Sequence, residues 1–355
     1  MLKRGATIGI LGGGQLGRMM AMSAAQLGYR TVGYAPAGDN IAAQVCSDFV
    51  TAEWDDANAL ARFAQMCDIV TWEFENVPVA TARAISEGKI YSDPYALEVA
   101  QDRLAEKRFV EPLGGSPAPF AKVDSSADLE AAATDLGTPG ILKTRQDGYD
   151  GKGQWRIASL DDARSLDLPP FPCIYEGFVD FDAEFSVILV RSRTGDIRFW
   201  DSTRNIHESG ILAASHFPAG DIINAQVGEA RELARKVADA LRYIGVLTLE
   251  FFATRDGPVF NEMAPRVHNS GHWTIEGAAT SQFANHIRAI AGLPLGDTRT
   301  TAAKIEMRNI LSADIETAHA GLSNAATQLH DYGKAQITEG RKMGHLTRIM
   351  RDTRR

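Results

Sequence analysis

The chain is poor in cysteine, in long apolar runs and in surplus positive charge. Only three of its 355 residues are cysteine (Cys46, Cys67 and Cys173), widely spaced and without a C-x-x-C pair. That count and spacing argue against a disulfide framework and a zinc site. No apolar run approaches the roughly 18 residues that a membrane helix needs. Lys plus Arg number 37 against 45 Asp plus Glu, a formal net charge of −8. That balance argues against the basic face by which proteins wrap duplex nucleic acid. Met1 to Gly5 lacks the apolar core of a secretory signal and leads straight into a strand-like segment. Internal repeats and low-complexity segments are also lacking. The expectation is a soluble, cytoplasmic enzyme acting on small molecules, with no nucleic-acid or membrane partner. At this length it should hold two or three domains.

The sequence itself is organised in three textures. Residues 6–100 alternate strand and helix: Thr7-Ile8-Gly9-Ile10-Leu11 reads as a buried strand, and Gln15 to Leu27 carries Leu16, Met19, Met20 and Ala24 at helical spacing. Arg30 to Tyr34 and Cys67 to Trp72 read as further strands. Such alternation predicts a doubly wound parallel sheet with helices on both faces. A second texture begins near Ser116-Pro117-Ala118-Pro119, with strands expected at Gly140–Lys143 and Trp155–Ile157 around a glycine-rich tip. A hairpin is expected from Phe185–Val190 and Asp196–Trp200. Val227, Ala230, Leu233, Val237 and Leu241 mark an amphipathic helix, which two strands follow, Val246–Ala253 and Pro258–Met263. After Gly292-Leu293-Pro294 a small β-rich unit is expected, with strands near Lys304–Leu311 and Ala335–Thr338.

Four groups of residues suggest chemistry. Gly12-Gly13-Gly14-Gln15-Leu16-Gly17 matches G-x-G-x-x-G between a strand and a helix, the context for a phosphate at a helix N-terminus. The second strand, however, ends in Gly33-Tyr34-Ala35-Pro36, without the acid that would hold a dinucleotide ribose. The turn can therefore serve a dinucleotide, another phosphate, or only the geometry of a tight strand–helix connection. Glu250 and Glu262 form the sharpest signal. If Arg255-Asp256-Gly257 is the turn, residues whose numbers sum to 512 face one another, and these two glutamates do. Like charges so placed destabilise a sheet, so two buried carboxylates call for a shared proton or a cation; the alternative is an exposed edge hairpin. Oxygen ligands favour Mg²⁺ or Mn²⁺. Asn261 would point to the other face unless a bulge re-aims it.

Gly148-Tyr149-Asp150-Gly151-Lys152-Gly153-Gln154 offers flexible backbone N–H donors and a lysine for phosphate, outside the Walker pattern. Arg266, His268, Asn269, Ser270 and His272 form a dense polar group suited to an oxyanion. Lys334, Arg341 and Lys342 are a second basic group or simply a solvated face.

Taken in order, GGGQLG, RQDGYDGKGQWR and NEMAPRVHNSGHWT resemble the ATP-grasp superfamily, and within it the enzymes that carboxylate 5-aminoimidazole ribonucleotide in purine biosynthesis. The likeness runs over nearly the whole chain. It implies an N-terminal αβα domain (1–101), a central ATP-grasp domain of two subdomains (102–293), a small C-terminal domain (294–355) and a homodimer. It also implies an ATP-dependent C–N ligase that joins hydrogencarbonate to the ribonucleotide through carboxyphosphate, with ATP and Mg²⁺ or Mn²⁺.

Carried over by position, Arg103 and Lys143 would meet the phosphates, and residues 148–154 would cover them. Glu176, Gly177, Phe178 and Val179 would form the adenine hinge, Glu184 would hold the ribose, and His207 and Asn261 would lie near the nucleotide. Glu250 and Glu262 would bind metal. Arg266, His268 and Asn269, with Lys342, would form the hydrogencarbonate and acceptor side. The ribonucleotide phosphate would rest on Gly14, Gln15 and Leu16 with Lys334, Arg341 and Lys342, while Glu73, Tyr149 and Asp150 would face the ribose or ring. The rival readings are a formate-dependent glycinamide ribonucleotide transformylase of the same superfamily and an NAD-binding oxidoreductase.

Overall fold

A computed structural model describes residues 1–86, 88–148 and 153–350. Its N-terminal part is the expected αβα layer. Strands β1 (Thr7–Leu11), β2 (Arg30–Ala35), β3 (Asp48–Thr51) and β4 (Ile69–Trp72) form a parallel sheet in the order β3-β2-β1-β4. Ile8 and Ile10 pack with helix α1 (Gln15–Gln26) on one face; Leu11, Val32 and Tyr34 pack with α2 (Ala57–Met66) on the other. Short helices α3 (Val79–Arg83) and α4 (Tyr95–Ala100) lead into α5 (Arg103–Val110), which Asp102 caps by accepting the N–H groups of Leu104 and Ala105.

A small antiparallel layer follows. It is built from β5 (Phe120–Val123), β6 (Gly140–Thr144), β7 (Gln154–Ile157) and β8 (Cys173–Gly177) in the order β5-β8-β6-β7. Leu142, Cys173 and Tyr175 pack against α6 (Ser126–Asp135) and α7 (Leu160–Ser165). Strand alternation sends Lys143 and Glu176 to the opposite face.

Among the described residues the remaining strands make one large sheet: β9 (Ala183–Arg191), β10 (Ile197–Phe199), β11 (Arg204–Glu208), β12 (Ile211–Phe217), β13 (Gly245–Thr254), β14 (Gly257–Ala264), β15 (Lys304–Leu311), β16 (Thr327–Asp331) and β17 (Lys342–Met350). Its order is β14-β13-β9-β11-β12-β15-β17-β16, with β10 paired to β9. Phe185, Phe251 and Phe260 meet helix α8 (Asp221–Ala240) on one face, through Ala230, Leu233 and Val237. The other face meets α9 (Thr274–Gly277) and α10 (Gln282–Ala291) farther along and carries the polar row described below. The terminal unit is β-rich as expected, and β12–β15 pairing makes it an extension of the central sheet. The strand expected at Ala335–Thr338 does not form: those residues lie outside any strand, and β17 begins at Lys342. No helix among the described residues is long and apolar enough to cross a membrane.

Candidate active site

The hairpin of β13 and β14 brings the two glutamates together by a different route from the one the sequence suggested. The turn is tighter than expected, because Gly257, at φ +125°, already pairs with Thr254. From there to Phe251–Phe260 the paired numbers sum to 511, a register that would put Glu262 opposite Leu249. A bulge at Asn261 shifts the register by one, and Glu250 then faces Glu262. The extra residue is used: Lys107 donates to the Asn261 carbonyl at 3.2 Å. Burial, and then the Glu262 charge, push the Glu250 carboxyl up to about 7. Burial alone would raise Glu262, but Arg103, whose Nη1 lies 2.9 Å from Glu262 Oε2, together with the Lys143 charge holds it below its ordinary value.

These carboxylates open on a cavity of about 470 Å³. Its walls come from all three parts of the chain: Gly14, Gln15, Leu16 and Glu73 from the N-terminal sheet, Arg103 and Gly148 from the middle, Arg266, His268 and Asn269 after β14, and Lys342 at the start of β17. His207 also lines it, with Nδ1 2.8 Å from Glu184 Oε2; burial alone would lower this imidazole, but the carboxylate overrides it and holds its pKa above the ordinary value.

Pro265 fixes the segment after β14, its carbonyl accepting from Trp72 Nε1 at 2.8 Å and from the Tyr243 hydroxyl at 2.5 Å. Glu75 takes Arg266 in a two-pronged pair, Nη2 to Oε1 measuring 2.7 Å, and the third nitrogen, Nη1, donates to the Val267 carbonyl. His268 Nε2 lies 3.0 Å from Glu250 Oε1. Both polar atoms of the Asn269 side chain are buried with no partner among the described residues, a cost that a ligand in the cavity would remove.

Family models match the chain in three consecutive stretches: the ribonucleotide synthetase preATP-grasp domain over residues 5–101, the ATP-grasp domain over 108–283 and the phosphoribosylaminoimidazole carboxylase C-terminal domain over 306–355. The N5-carboxyaminoimidazole ribonucleotide synthase of Brucella melitensis is 49% identical across 98% of this chain and 97% of its own. The chain belongs to the N5-carboxyaminoimidazole ribonucleotide synthase family. A crystal structure of the synthetase from Thermus thermophilus matches with a TM-score of 0.88 at 45% identity, covering 96% of this chain and 93% of that one. The synthase from Aspergillus clavatus, in complex with ADP and 5-aminoimidazole ribonucleotide, matches at 0.87 and 30% identity over 98% and 94%.

Within this family frame several expected residues occupy unexpected partners. Glu73 does not simply face the open cavity: its buried carboxylate accepts from Gly14 N–H and, at 2.7 Å, from Gly17 N–H. The Glu73 side chain explains Gly12 and Gly14, where a Cβ would lie 2.1 Å from its Cγ and 2.7 Å from its Oε1; at Gly13 a Cβ would meet Asn40 Oδ1 at 2.2 Å instead. Lys143 is 2.8 Å from Glu176 Oε2, and Lys107 is 3.3 Å from its other oxygen; against the cost of burial the two lysines hold Glu176 down to about 2. In the segment expected to read adenine, Gly177 N–H donates to the Pro119 carbonyl and Phe178 N–H to that of Pro139 (3.3 Å), Phe178 is exposed and Val179 is half-buried.

Gly153 lies at φ +68° and its carbonyl accepts from Thr144 N–H, while Gln154 is exposed on β7. Lys334 donates to the Lys342 carbonyl at 2.6 Å, and Arg341 pairs with Asp39 at 3.0 Å. Tyr149, Asp150, Gly151 and Lys152 lie outside the described residues.

The sequence reading missed Glu75, Glu106, Lys107 and Arg145. Arg103, Glu106 and Lys107 stand at spacings of three and four after the Asp102 cap, a readable helical signal. Glu106 accepts the Met263 N–H at 2.5 Å, and burial with the Glu262 charge pushes it up to about 8. Arg145 is paired to Asp102 through both carboxylate oxygens.

Proposed function

We propose that this chain uses ATP and hydrogencarbonate to carboxylate the exocyclic amine of 5-aminoimidazole ribonucleotide, releasing ADP and phosphate, in purine biosynthesis. One observation carries the reading: a pair of opposed carboxylates, Glu250 largely buried and Glu262 partly exposed, shares a cavity with a glycine turn and with the Arg266–Asn269 group. The full-length family likeness and the ligands of the Aspergillus clavatus structure agree with it.

Glu250 and Glu262 suit Mg²⁺ or Mn²⁺, because two carboxylates that cannot comfortably ionise together are relieved by a cation. Among the described residues no group of three or more His, Cys, Asp and Glu side chains is arranged to hold a metal alone, which suits an ion whose remaining ligands are nucleotide phosphates and water. Such an ion would neutralise charge on the transferring phosphoryl group. Arg103 and Lys143 meet the phosphates in this reading, under the cover of residues 148–154, and Glu184 with His207 holds the ribose. Asn261 lies beside the nucleotide, and the segment from Glu176 to Val179 reads the adenine edge.

A hydrogencarbonate oxygen then attacks the γ-phosphorus as the bond to ADP breaks. Arg266, His268, Asn269 and Lys342 hold the resulting carboxyphosphate out of water. Its carboxyl carbon passes to the amine as phosphate leaves. Gly14, Gln15 and Leu16 with Lys334, Arg341 and Lys342 seat the ribonucleotide phosphate, while Glu73, Tyr149 and Asp150 face its sugar and ring. Homodimeric assembly rests on the family resemblance, and sedimentation equilibrium tests it.

The deciding experiment measures phosphate release from ATP·Mg with each co-substrate omitted in turn. Release that requires the ribonucleotide, with acid-labile incorporation of labelled hydrogencarbonate, is expected. Release driven by formate and glycinamide ribonucleotide instead would overturn the substrate. Glu262→Gln should lose at least about a hundredfold in turnover, on the scale of lost transition-state charge stabilisation; near-normal turnover would refute the metal assignment.

A further inference from the structure

A buried polar chain runs behind the cavity and ends on residues placed in the reaction just described. It starts from the sheet register. Glu262 on β14 faces Glu250 on β13, and Glu250 faces Ser186 on β9, so three polar side chains stand in one row across three strands on one sheet face. Ser186 is only 2% exposed. Its hydroxyl oxygen accepts from Asn205 Nδ2 at 2.8 Å and lies 2.9 Å from Ser270 Oγ. Each serine has one hydroxyl proton, and with Ser186 donating to Ser270 the Ser270 proton is left for the next partner along. Asn205 in turn accepts from Ser215 Oγ at 2.9 Å and from Thr203 Oγ1 at 3.2 Å. Burying five hydroxyl and amide groups is expensive unless each is satisfied, and once satisfied the network is rigid.

The near end of this chain is His268. Its Nδ1 lies 2.8 Å from Ser270 Oγ and accepts the Ser270 backbone N–H at 3.3 Å. An accepting Nδ1 places the ring proton on Nε2, the nitrogen facing Glu250 Oε1. The backbone is pinned as well: buried Gln282 accepts from His268 N–H at 2.8 Å and donates to its carbonyl at 2.6 Å.

We propose that Ser186 and Asn205 are positioning residues that hold His268 as the Nε2–H tautomer over Glu250. The inference rests on the proposed reading of the Arg266–Asn269 group as the hydrogencarbonate side. The network anchors Ser270, Ser270 orients the imidazole, and the imidazole occupies one oxygen of Glu250. The other Glu250 oxygen is thereby left for the cation, and the ring edge is fixed beside the oxyanion.

The test uses full-length Ser186→Ala and Ser270→Ala, with Ser186→Thr as the conservative rescue. Nitrogen-15 spectra of histidine-labelled protein read the tautomer directly, with the His268 resonance assigned by its loss in His268→Asn. Wild type and Ser186→Thr should show the Nε2–H form. The alanine variants should show a mixture, with KM for hydrogencarbonate raised about tenfold, as for one lost buried hydrogen bond. Their Mn²⁺ affinity in the presence of ADP should weaken, while KM for ATP stays near wild type. Wild-type tautomer and hydrogencarbonate KM in both alanine variants would overturn the proposal. If wild type itself shows no hydrogencarbonate-dependent phosphate release, the reading of the site fails, whereas the spectra still decide the tautomer.

Discussion

Glu250→Gln should stabilise the metal-free protein while disabling it. The two glutamates sit opposite one another on one sheet face, and the Glu250 carboxyl, the more buried of the two, is displaced from 4.5 to about 7 by burial and by the Glu262 charge. A shift of this size corresponds to roughly 3 kcal/mol of resistance to ionisation in the folded state, at about 1.36 kcal/mol per pKa unit. The sign follows from linkage. Below pH 4.5 both states carry the proton and Glu250 costs nothing; as pH rises from 4.5 to 7, the unfolded chain ionises first and the folded protein loses stability. Glutamine cannot ionise, and its amide oxygen can still accept from His268 Nε2. Urea midpoints of the metal-free protein at pH 5 and pH 8 measure the effect. The variant should exceed wild type at pH 8, and the gap should narrow strongly at pH 5. Added Mg·ADP should raise the wild-type midpoint and leave the variant nearly unmoved. A variant less stable than wild type at pH 8 would show that the carboxylates are not in conflict, and the argument for a cation between them would fail.

Three further outcomes follow from other parts of the structure. His286 is buried and neutral, accepting the Val246 N–H on Nδ1, and its pKa is brought down to about 4 by burial. Stability should therefore fall as pH drops from 6.5 towards 4, and His286→Gln should remove up to about 1.4 kcal/mol per pH unit of that slope in urea titrations. Lys334 is held to about 8 by burial and by Arg341. The ribonucleotide KM should therefore rise above pH 8, and in Lys334→Met it should be high and flat across the same range. Gly12→Ala combines a φ of +125° with a Cβ 2.1 Å from Glu73 Cγ; calorimetry should show a loss of about 1–3 kcal/mol, typical of strained backbone.

How much of this was legible in the sequence depends on the range of the interaction. Strand and helix periodicities placed β1, α1, α8 and the β13–β14 hairpin because each buries one face locally. The Glu250–Glu262 pair was found with the wrong turn. A three-residue turn and a two-residue turn followed by a bulge are indistinguishable beyond Asn261, and only the observed pairing separates them. Ala335–Thr338 has strand-like composition, but β17 pairs with β15 and β16 instead. Glu73 and Glu75 could not be assigned from spacing, since their partners lie 56 to 191 residues away. The Lys107–Glu176–Lys143 group was hidden for the same reason: its members sit on a helix and two strands whose meeting is a tertiary fact. Glu106 and Lys107 could have been read from the helix that starts at Asp102.

The shared carbonyl of Pro265 bears on how such enzymes can be recombined. Trp72 reaches it from the N-terminal sheet and Tyr243 from beyond α8, while Glu75 grips the next residue, Arg266. The three matched stretches are therefore not interchangeable cassettes. A chimera that crosses over between residues 101 and 264 takes Trp72 and Glu75 from one parent and the Ala264–Asn269 segment from the other, so the boundary that looks cleanest along the chain cuts through the floor of the cavity. Exchange near residue 300 leaves that floor in one parent's hands but splits Glu276 from His330 and Asp39 from Arg341, and takes Lys342 of the cavity wall from the second parent.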